Sequence, residues 1–170
     1  MFIINQEIVE LTSEKLRQHF GEAILTEEVE MDMPVYTVKK EIIVDLLRFL
    51  FDDEILRYRF LTTMCGIHYP DNKQQFGVIY HLHSLENNQR IRIKTFTTIE
   101  DITIPSATAV FAAANWMERE AYDFYGIQFP GHPNLKRILN VEDMDYFPMR
   151  KEYPLEDGTR QDKNDDFFGR

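Results

Sequence analysis

The chain of 170 residues contains a single cysteine, Cys65. An internal disulfide is impossible, and a thiolate-held zinc or iron–sulfur centre finds no ligand set, so a reducing compartment fits. Positive charge is scarce as well: 19 Lys and Arg stand against 29 Asp and Glu, a formal net charge of −10. Such a surface repels phosphate backbones and argues against general nucleic-acid binding. Long apolar runs are missing. The richest apolar window, residues 42–51, is broken by Asp45 and Arg48 and does not suit a membrane span. Met1-Phe2-Ile3-Ile4 lacks the length and the basic flank of a signal peptide. Glycines number seven, and Gly126, Gly131 and Gly158 do not follow strands with nucleotide-binding spacing, so no phosphate loop is expected. Internal repeats and low-complexity segments are absent too.

What is present suits one domain with an appendage, able to bury about 70% of its unfolded surface. Hydrophobic residues at 44% supply a normal core. Ile8, Leu11 or Thr12, Leu16 and Phe20 recur on one side of residues 6–20, predicting a helix that stops at Gly21. Residues 23–30 and 35–39 read as two strands around a turn containing Asp32 and Pro34. Residues 41–51 read as a mostly apolar helix lying flat on a sheet. Its start is weakly marked, since Lys39 and Lys40 oppose the helix dipole. Residues 57–66, 75–85 and 90–97 read as three further strands, and a third helix follows Pro105. The expected fold class is α+β, a two-layer domain with a mixed or antiparallel sheet in the order α-β-β-α-β-β-β-α. It is assigned to residues 1–126, and residues 127–170 are assigned to an extended, partner-docking C-terminal arm.

Asn87 and Asn88 tolerate positive φ, so a two-residue hairpin turn is expected there. That register sets His83 opposite Arg92, His81 opposite Lys94 and Leu82 opposite Ile93. Alternation places Tyr80, Leu82, Ile91 and Ile93 on the core face. His81, His83, Arg90, Arg92 and Lys94 occupy the other face, joined by Arg57 and Arg59. This basic face is either the wet side of an antiparallel sheet or a docking face for an acidic neighbour. His81 and His83 point the same way, but two imidazoles without a third ligand make a poor cation site, and no metal site is assigned. Cys65 reads as a small buried hydrophobe rather than a nucleophile.

The densest signal is the unbroken stretch from Asn115 to Leu139. It sets Glu118, Arg119, Glu120 and Asp123 among Trp116, Tyr122, Phe124 and Tyr125. Residues 112–125 are good helix formers. Gly126 marks the end, because glycine enters the left-handed cap without the ~1–2 kcal/mol penalty of a side chain. Ile127 then falls where a Schellman-type cap returns an apolar residue to the last turn. Arg119 and Asp123 are four apart and can pair, while Glu120 and Asp123 are three apart. The pair is either a surface bridge contributing ~0.3–0.5 kcal/mol or part of a cluster that engages a partner. His132, between Gly131 and Pro133, reads as a loop-fixing hydrogen-bonder. Beyond Leu139 the periodicity ends, yet Tyr146, Phe147, Tyr153, Phe167 and Phe168 stand among prolines and acids. Disordered tails avoid aromatics. Such an arm either docks on another protein, each anchor contributing ~1–3 kcal/mol, or wraps its own domain.

The pattern Glu118-Arg119-Glu120, Asp123-Phe124-Tyr125, His132 and Lys136-Arg137-Ile138-Leu139 resembles the signature of the small hydrophilic C subunit of NADH–quinone oxidoreductase, respiratory complex I. Tyr69-Pro70-Asp71, Val78-Ile79-Tyr80-His81-Leu82, Ile104-Pro105-Ser106 and the run from Pro148 to Pro154 resemble the same family in order and spacing. Residues 155–170 carry none of it. The resemblance implies a scaffold and assembly subunit of the peripheral arm of a proton-translocating enzyme, which carries electrons from NADH through FMN and iron–sulfur clusters to quinone. It implies no cofactor and no catalytic residue in this chain. Expected partners are the quinone-site D subunit and the cluster-bearing B and I subunits, on the cytoplasmic side of the cell inner membrane. Glu118, Arg119, Glu120, Asp123, His132, Lys136, Arg137, Ile138 and Leu139 are expected to carry the contact with those neighbours, with Gly126, Gly131 and Pro133 shaping its backbone. Two rivals remain. One is the homologous subunit of a ferredoxin- or hydrogenase-linked membrane oxidoreductase. The other is a free-standing acid/base enzyme using Glu118, Glu120 or Asp123 with His132, which requires a concave apolar pocket around perturbed groups.

Overall fold

Five extended segments pair into one sheet; four contribute buried residues, and β-branched and aromatic side chains dominate their core face, while the fifth, at the N-terminal edge, is largely exposed. The structure, a computed structural model, describes residues 5–153. In chain order its elements are α1 (Gln6–Phe20), β1 (Ile24–Glu30), β2 (Met33–Val38), α2 (Ile43–Asp52), β3 (Phe60–His68), β4 (Phe76–Ser84), β5 (Gln89–Thr97) and α3 (Ala114–Tyr125). The sheet order is β1-β2-β5-β4-β3. Neighbours are antiparallel except β2 and β5, which run parallel with Tyr36 opposite Ile93. The element order and the mixed sheet agree with the α+β reading. None of the helices among the described residues is long and apolar enough to cross a membrane.

Leu16 of α1, Leu46, Leu47 and Leu50 of α2, and Ala114 and Ala121 of α3 share one core with Tyr36, Val78, Tyr80, Leu82, Ile91 and Ile93 of the sheet. Polar residues on the buried side of α1 are matched by tyrosine hydroxyls: Ser13 Oγ lies 2.8 Å from the Tyr36 hydroxyl, and Thr12 Oγ1 3.3 Å from that of Tyr58. These contacts remove the penalty of burying hydroxyls in an apolar layer. Asn5 caps α1 by accepting from the Ile8 amide, and Gly21 ends it at φ +47°.

Several local expectations are corrected. The β4–β5 register is shifted by two residues: His81 faces Arg92, His83 faces Arg90 and Leu82 faces Ile91. The loop has four residues, not two, because the Asn87 amide turns away to donate to the Ile55 and Leu56 carbonyls and to Ser84 Oγ. A shift of two preserves facing, so Tyr80, Leu82, Ile91 and Ile93 still point into the core. The β1–β2 turn consists of Met31 and Asp32, both at positive φ, and Pro34 belongs to β2. Proline fits there because the β2–β5 ladder begins only at Val35, so no pairing amide is required of it. β3 begins at Phe60, which leaves Arg57 and Arg59 outside the sheet: Arg57 pairs with Glu86, and Arg59 donates to the Phe51 carbonyl. Cys65 is exposed, since its position opposite Ile79 turns it away from the helices. The basic sheet face is largely neutralised from within. Glu30 accepts from Arg92 at 2.6 Å and from Lys94 at 2.7 Å, and His81 accepts from Arg92 Nε.

α3 packs on the edge strand β3 through Gly66, where a Cβ would lie 2.7 Å from the Tyr125 ring and 3.3 Å from Ala121 Cβ. The close approach needs glycine. Gly66→Ala is expected to lower stability by roughly 1–3 kcal/mol, read as an earlier urea midpoint at unchanged slope. An unshifted midpoint would show that α3 sits further from β3.

Candidate functional site

The last turn of α3 and the chain that follows it form one polar assembly. α3 ends at Gly126, whose φ of +77° is the left-handed cap, and whose amide donates to the Tyr122 carbonyl. The domain does not stop there. Ile127 and Phe129 are buried in the core, and Gln128 exchanges backbone hydrogen bonds with Ile102 and Ile104. Ser106 N donates to the Pro130 carbonyl at 2.9 Å. Residues 127–153 therefore start as part of the domain and continue over it as a strap; Phe167 and Phe168 lie outside the described residues.

His132 fixes the first bend. Its Nδ1 accepts from the Asn134 amide at 2.9 Å, so the ring proton is on Nε2, which donates to the Asn115 carbonyl at 3.0 Å. Gly131 reaches φ +90° just before it. Arg119 stacks over Trp116 with Cζ 5.0 Å from the ring centroid, and its Nε and Nη2 donate to the Lys136 and Arg137 carbonyls, each at 3.1 Å. The expected Arg119–Asp123 pair is not formed. Arg119 spends its donors on strap carbonyls, and Asp123 takes a cation from the strap itself.

Asp123 is fully buried. Its Oδ2 accepts from three consecutive amides, Ile138 at 3.0 Å, Leu139 at 2.8 Å and Asn140 at 3.0 Å. Its Oδ1 accepts from Arg137 Nη1 at 2.8 Å and from Asn140 Nδ2 at 3.0 Å. Burial alone pushes a carboxyl up, but the Asn140, Leu139 and Ile138 amides and the Asn140 side chain outweigh it and hold Asp123 far below the usual range. Glu118, also buried, has fewer donors: Ser106 Oγ at 2.7 Å and the Ala107 amide at 2.6 Å. Here burial dominates, and Glu118 is pushed up to about 7. Glu120 and the Lys136 side chain remain exposed. Pro133 is exposed in the bend, Ile138 is half-buried, and Leu139 points outward.

Arg137, already in the expected contact set, and Arg150, which spacing did not single out, complete the assembly. Arg137 Nη2 donates to the Met144 and Tyr146 carbonyls and its guanidinium lies 5.1 Å over Phe147. Arg150 is sandwiched between Phe147 at 4.6 Å and Phe76 at 4.9 Å and donates to the Tyr125 carbonyl at 2.8 Å. The strap crosses directly over Gly126, where a Cβ would lie 2.6 Å from Arg150 Nη2 and 2.7 Å from the Phe147 ring. The run from Pro148 to Pro154 was the available signal for Arg150; spacing gave no partner for it. Among the described residues no group of three or more His, Cys, Asp or Glu could hold a metal ion.

Fold and site together define an α+β domain that ties down the chain following α3 through one buried carboxylate of that helix, Asp123. Comparison with known proteins gives the lineage. A family model described as Respiratory-chain NADH dehydrogenase, 30 Kd subunit, matches residues 36–159. The C subunit of NADH-quinone oxidoreductase from Citrifermentans bemidjiense is 45% identical over 147 residues, 86% of this chain and 90% of that protein. The protein of the same name from a Roseiflexus species is 44% identical over 84% of this chain and 82% of its own length. Among solved structures, a trypsin-resistant fragment (1-134) of Nqo5 superposes with a TM-score of 0.64 at 26% identity, covering 75% of this chain and 99% of the fragment. A chain of the membrane-bound sulfane sulfur reductase, an archaeal respiratory membrane complex, gives a TM-score of 0.71 over 88% of this chain and 85% of its own; at 21% identity it shows the fold alone. This chain belongs to the respiratory-chain NADH dehydrogenase 30 Kd subunit family.

The two carboxylates give opposite pH signatures. Glu118 binds its proton more tightly folded than unfolded, so its contribution is full below the ordinary 4.5 and is lost as pH rises through about 7. Glu118→Gln keeps an acceptor for Ala107 and removes that loss. Its stability advantage over the parent is expected to grow with pH across that window by on the order of 3 kcal/mol, measured by urea unfolding; a pH-independent difference would contradict it. Asp123→Ala strands Arg137 and three amides, and a loss of about 3–5 kcal/mol is expected at neutral pH. A loss below about 1 kcal/mol would mean an exposed pair.

Proposed function

We propose that the chain is a cofactor-free scaffold of the peripheral arm of an NADH–quinone oxidoreductase, in which the strap and the outer side of α3 form the docking face for neighbouring subunits. The observation that carries this reading is the way polarity is distributed over the strap. Backbone groups of residues 136–140, with Arg137 and Arg150, turn inward to Asp123, Arg119 and the end of α3, while large apolar side chains stand exposed among the outward charges Lys136, Glu142, Asp143, Asp145, Lys151 and Glu152. Trp116 is 61% exposed and Leu139 66%, and Val141, Tyr146, Met149 and Tyr153 are exposed as well. A strap whose backbone is tied down on the domain side and whose outer side mixes large apolar side chains with charges is built to have that face covered.

The acid/base reading fares worse on the same geometry. Both Glu118 oxygens, both Asp123 oxygens and both His132 nitrogens are engaged by groups of the chain itself. A reagent would need a lone pair or proton aimed at a substrate. Relatives named as the C subunit of NADH-quinone oxidoreductase support assembly into that enzyme; the partners we assign to the chain are the quinone-site subunit and the cluster-bearing subunits. Lack of a spanning helix among the described residues agrees with a peripheral position, which we assign to the cytoplasmic side of the membrane. Electron transfer then passes through neighbours that this chain holds in place.

Trp116→Ala combined with Leu139→Asp is expected to leave the isolated chain folded, with stability changed by less than about 1 kcal/mol. Assembled, quinone-reducing complex should fall by roughly tenfold or more. Arg119→Ala, which frees the Lys136 and Arg137 carbonyls, should lower assembly in the same way. Normal assembly and turnover in both variants would refute the docking face. Recovery of the native complex with ferredoxin- or hydrogenase-type input subunits would reassign the electron donor.

A further inference from the structure

The strap has a second attachment that the docking reading does not use. His68, the last residue of β3, is almost fully buried, and its ring stacks on Phe76 with centroids 4.4 Å apart and an interplanar angle of 2°. Its Nδ1 lies 3.0 Å from the Lys151 backbone amide. An amide N–H can only donate, so Nδ1 must carry a lone pair and the ring must be neutral with its proton on Nε2. A second proton would occupy Nδ1 and set two N–H groups against each other. The flat stack on Phe76 fixes the plane of the ring and opposes a rotation that would relieve the clash.

The same residues belong to a longer column. His68 stacks on Phe76, Arg150 lies over Phe76, Phe147 covers Arg150, and Arg137 lies over Phe147. Charging the ring therefore places a cation across Phe76 from the Arg150 guanidinium. The charged groups facing the ring are Arg150 and Lys151, which disfavour a positive imidazole, and Glu152, which favours it. Glu152 is half in solvent and shared with Arg150 at 3.7 Å, so it compensates weakly.

We propose that His68 is a proton-operated latch: its neutral ring holds residues 151–153 closed against the domain, beyond the point where Arg150 anchors the strap, and protonation of the ring releases them. Burial, reinforced by Arg150 and Lys151, holds the ring below the ordinary histidine value of 6.5. With a depressed value in the closed state, latch strength is full above 6.5 and declines as pH falls from there through the closed-state value. Release would carry Tyr153 away from Tyr146, against which its ring packs at 5.2 Å, and so alter the exposed face of the strap. That consequence rests on the function proposed above; the latch itself does not, since it operates in the isolated chain.

The test is an NMR titration of the full chain alone from pH 8 to pH 5, following the His68 ring and the amides of residues 147–153. The amides of residues 151–153 are expected to move together with the His68 ring, with a midpoint below 6.5, and exchange protection of the Lys151 amide should fall by about five- to tenfold. Two variants separate the latch from a general loss of fold. His68→Asn places an oxygen acceptor near the Nδ1 position that cannot titrate, and residues 151–153 should stay closed across the range. His68→Phe keeps the stack and removes the acceptor, and residues 151–153 should be open at every pH while β4 and β5 amides keep their positions. Amides of residues 151–153 that ignore the His68 midpoint, or that still open at the parent's midpoint in His68→Asn, would overturn the proposal. Because no partner is present, each of these outcomes leaves the docking-face test independent.

Discussion

Asp123 is a carboxylate with no exposed surface, and an uncompensated charge in that position would cost several kcal/mol. The compensation comes from one short stretch of chain. Arg137 supplies the cation, residues 138–140 supply three successive amides, and Asn140 adds its side chain. Amides from consecutive residues converge on one oxygen only if the backbone curls tightly around it. The need to solvate Asp123 therefore dictates the shape of residues 137–140, and that shape decides the direction in which residues 141–153 leave. Glu118, five residues earlier on the same helix, shows what weaker compensation does. With a hydroxyl and one amide as donors it retains the signature of burial, a carboxyl titrating at about 7.

From that anchor the rest of the strap is built by alternating guanidinium and aromatic groups. Arg137, Phe147, Arg150 and Phe76 stack in sequence, and each guanidinium also closes backbone carbonyls that the irregular chain would leave unpaired. Arginine suits both tasks because its plane stacks while its edge donates. A segment without regular structure thus satisfies several of its backbone groups on the domain side. The apolar side chains Leu139, Val141, Met149 and Tyr153 are left on the other side, which suits a neighbour. The surface offered for docking is a consequence of how the inner surface is solvated.

Much of this was legible in the sequence. Period-two and helical patterns give the eight elements in order, and Gly126 marks the end of α3 because a left-handed cap favours glycine. What remained hidden was non-local. Local spacing pairs Asp123 with Arg119, yet a cation fourteen residues further on, with three amides beside it, outcompetes an i,i+4 bridge of a few tenths of a kcal/mol. The β4–β5 loop is lengthened by Asn87, whose amide is drawn to carbonyls at 55 and 56, a contact that no hairpin rule contains. Parallel pairing of β2 with β5 depends on the crossover through α2 and the β3–β4 hairpin, which local pattern does not encode. His68 and Arg150 stand on strand and strap more than eighty residues apart, and only the fold brings them to the two sides of Phe76.

Asp123 holds the strap in the chain alone, before any neighbour arrives. Hydrogen exchange of the Ile138, Leu139 and Asn140 amides in the isolated full chain measures this directly. Slow exchange at all three, comparable to that of amides within α3, is the predicted result. Exchange at the rate of an unstructured peptide, with α3 itself protected, would contradict it and make the strap's order the work of a partner.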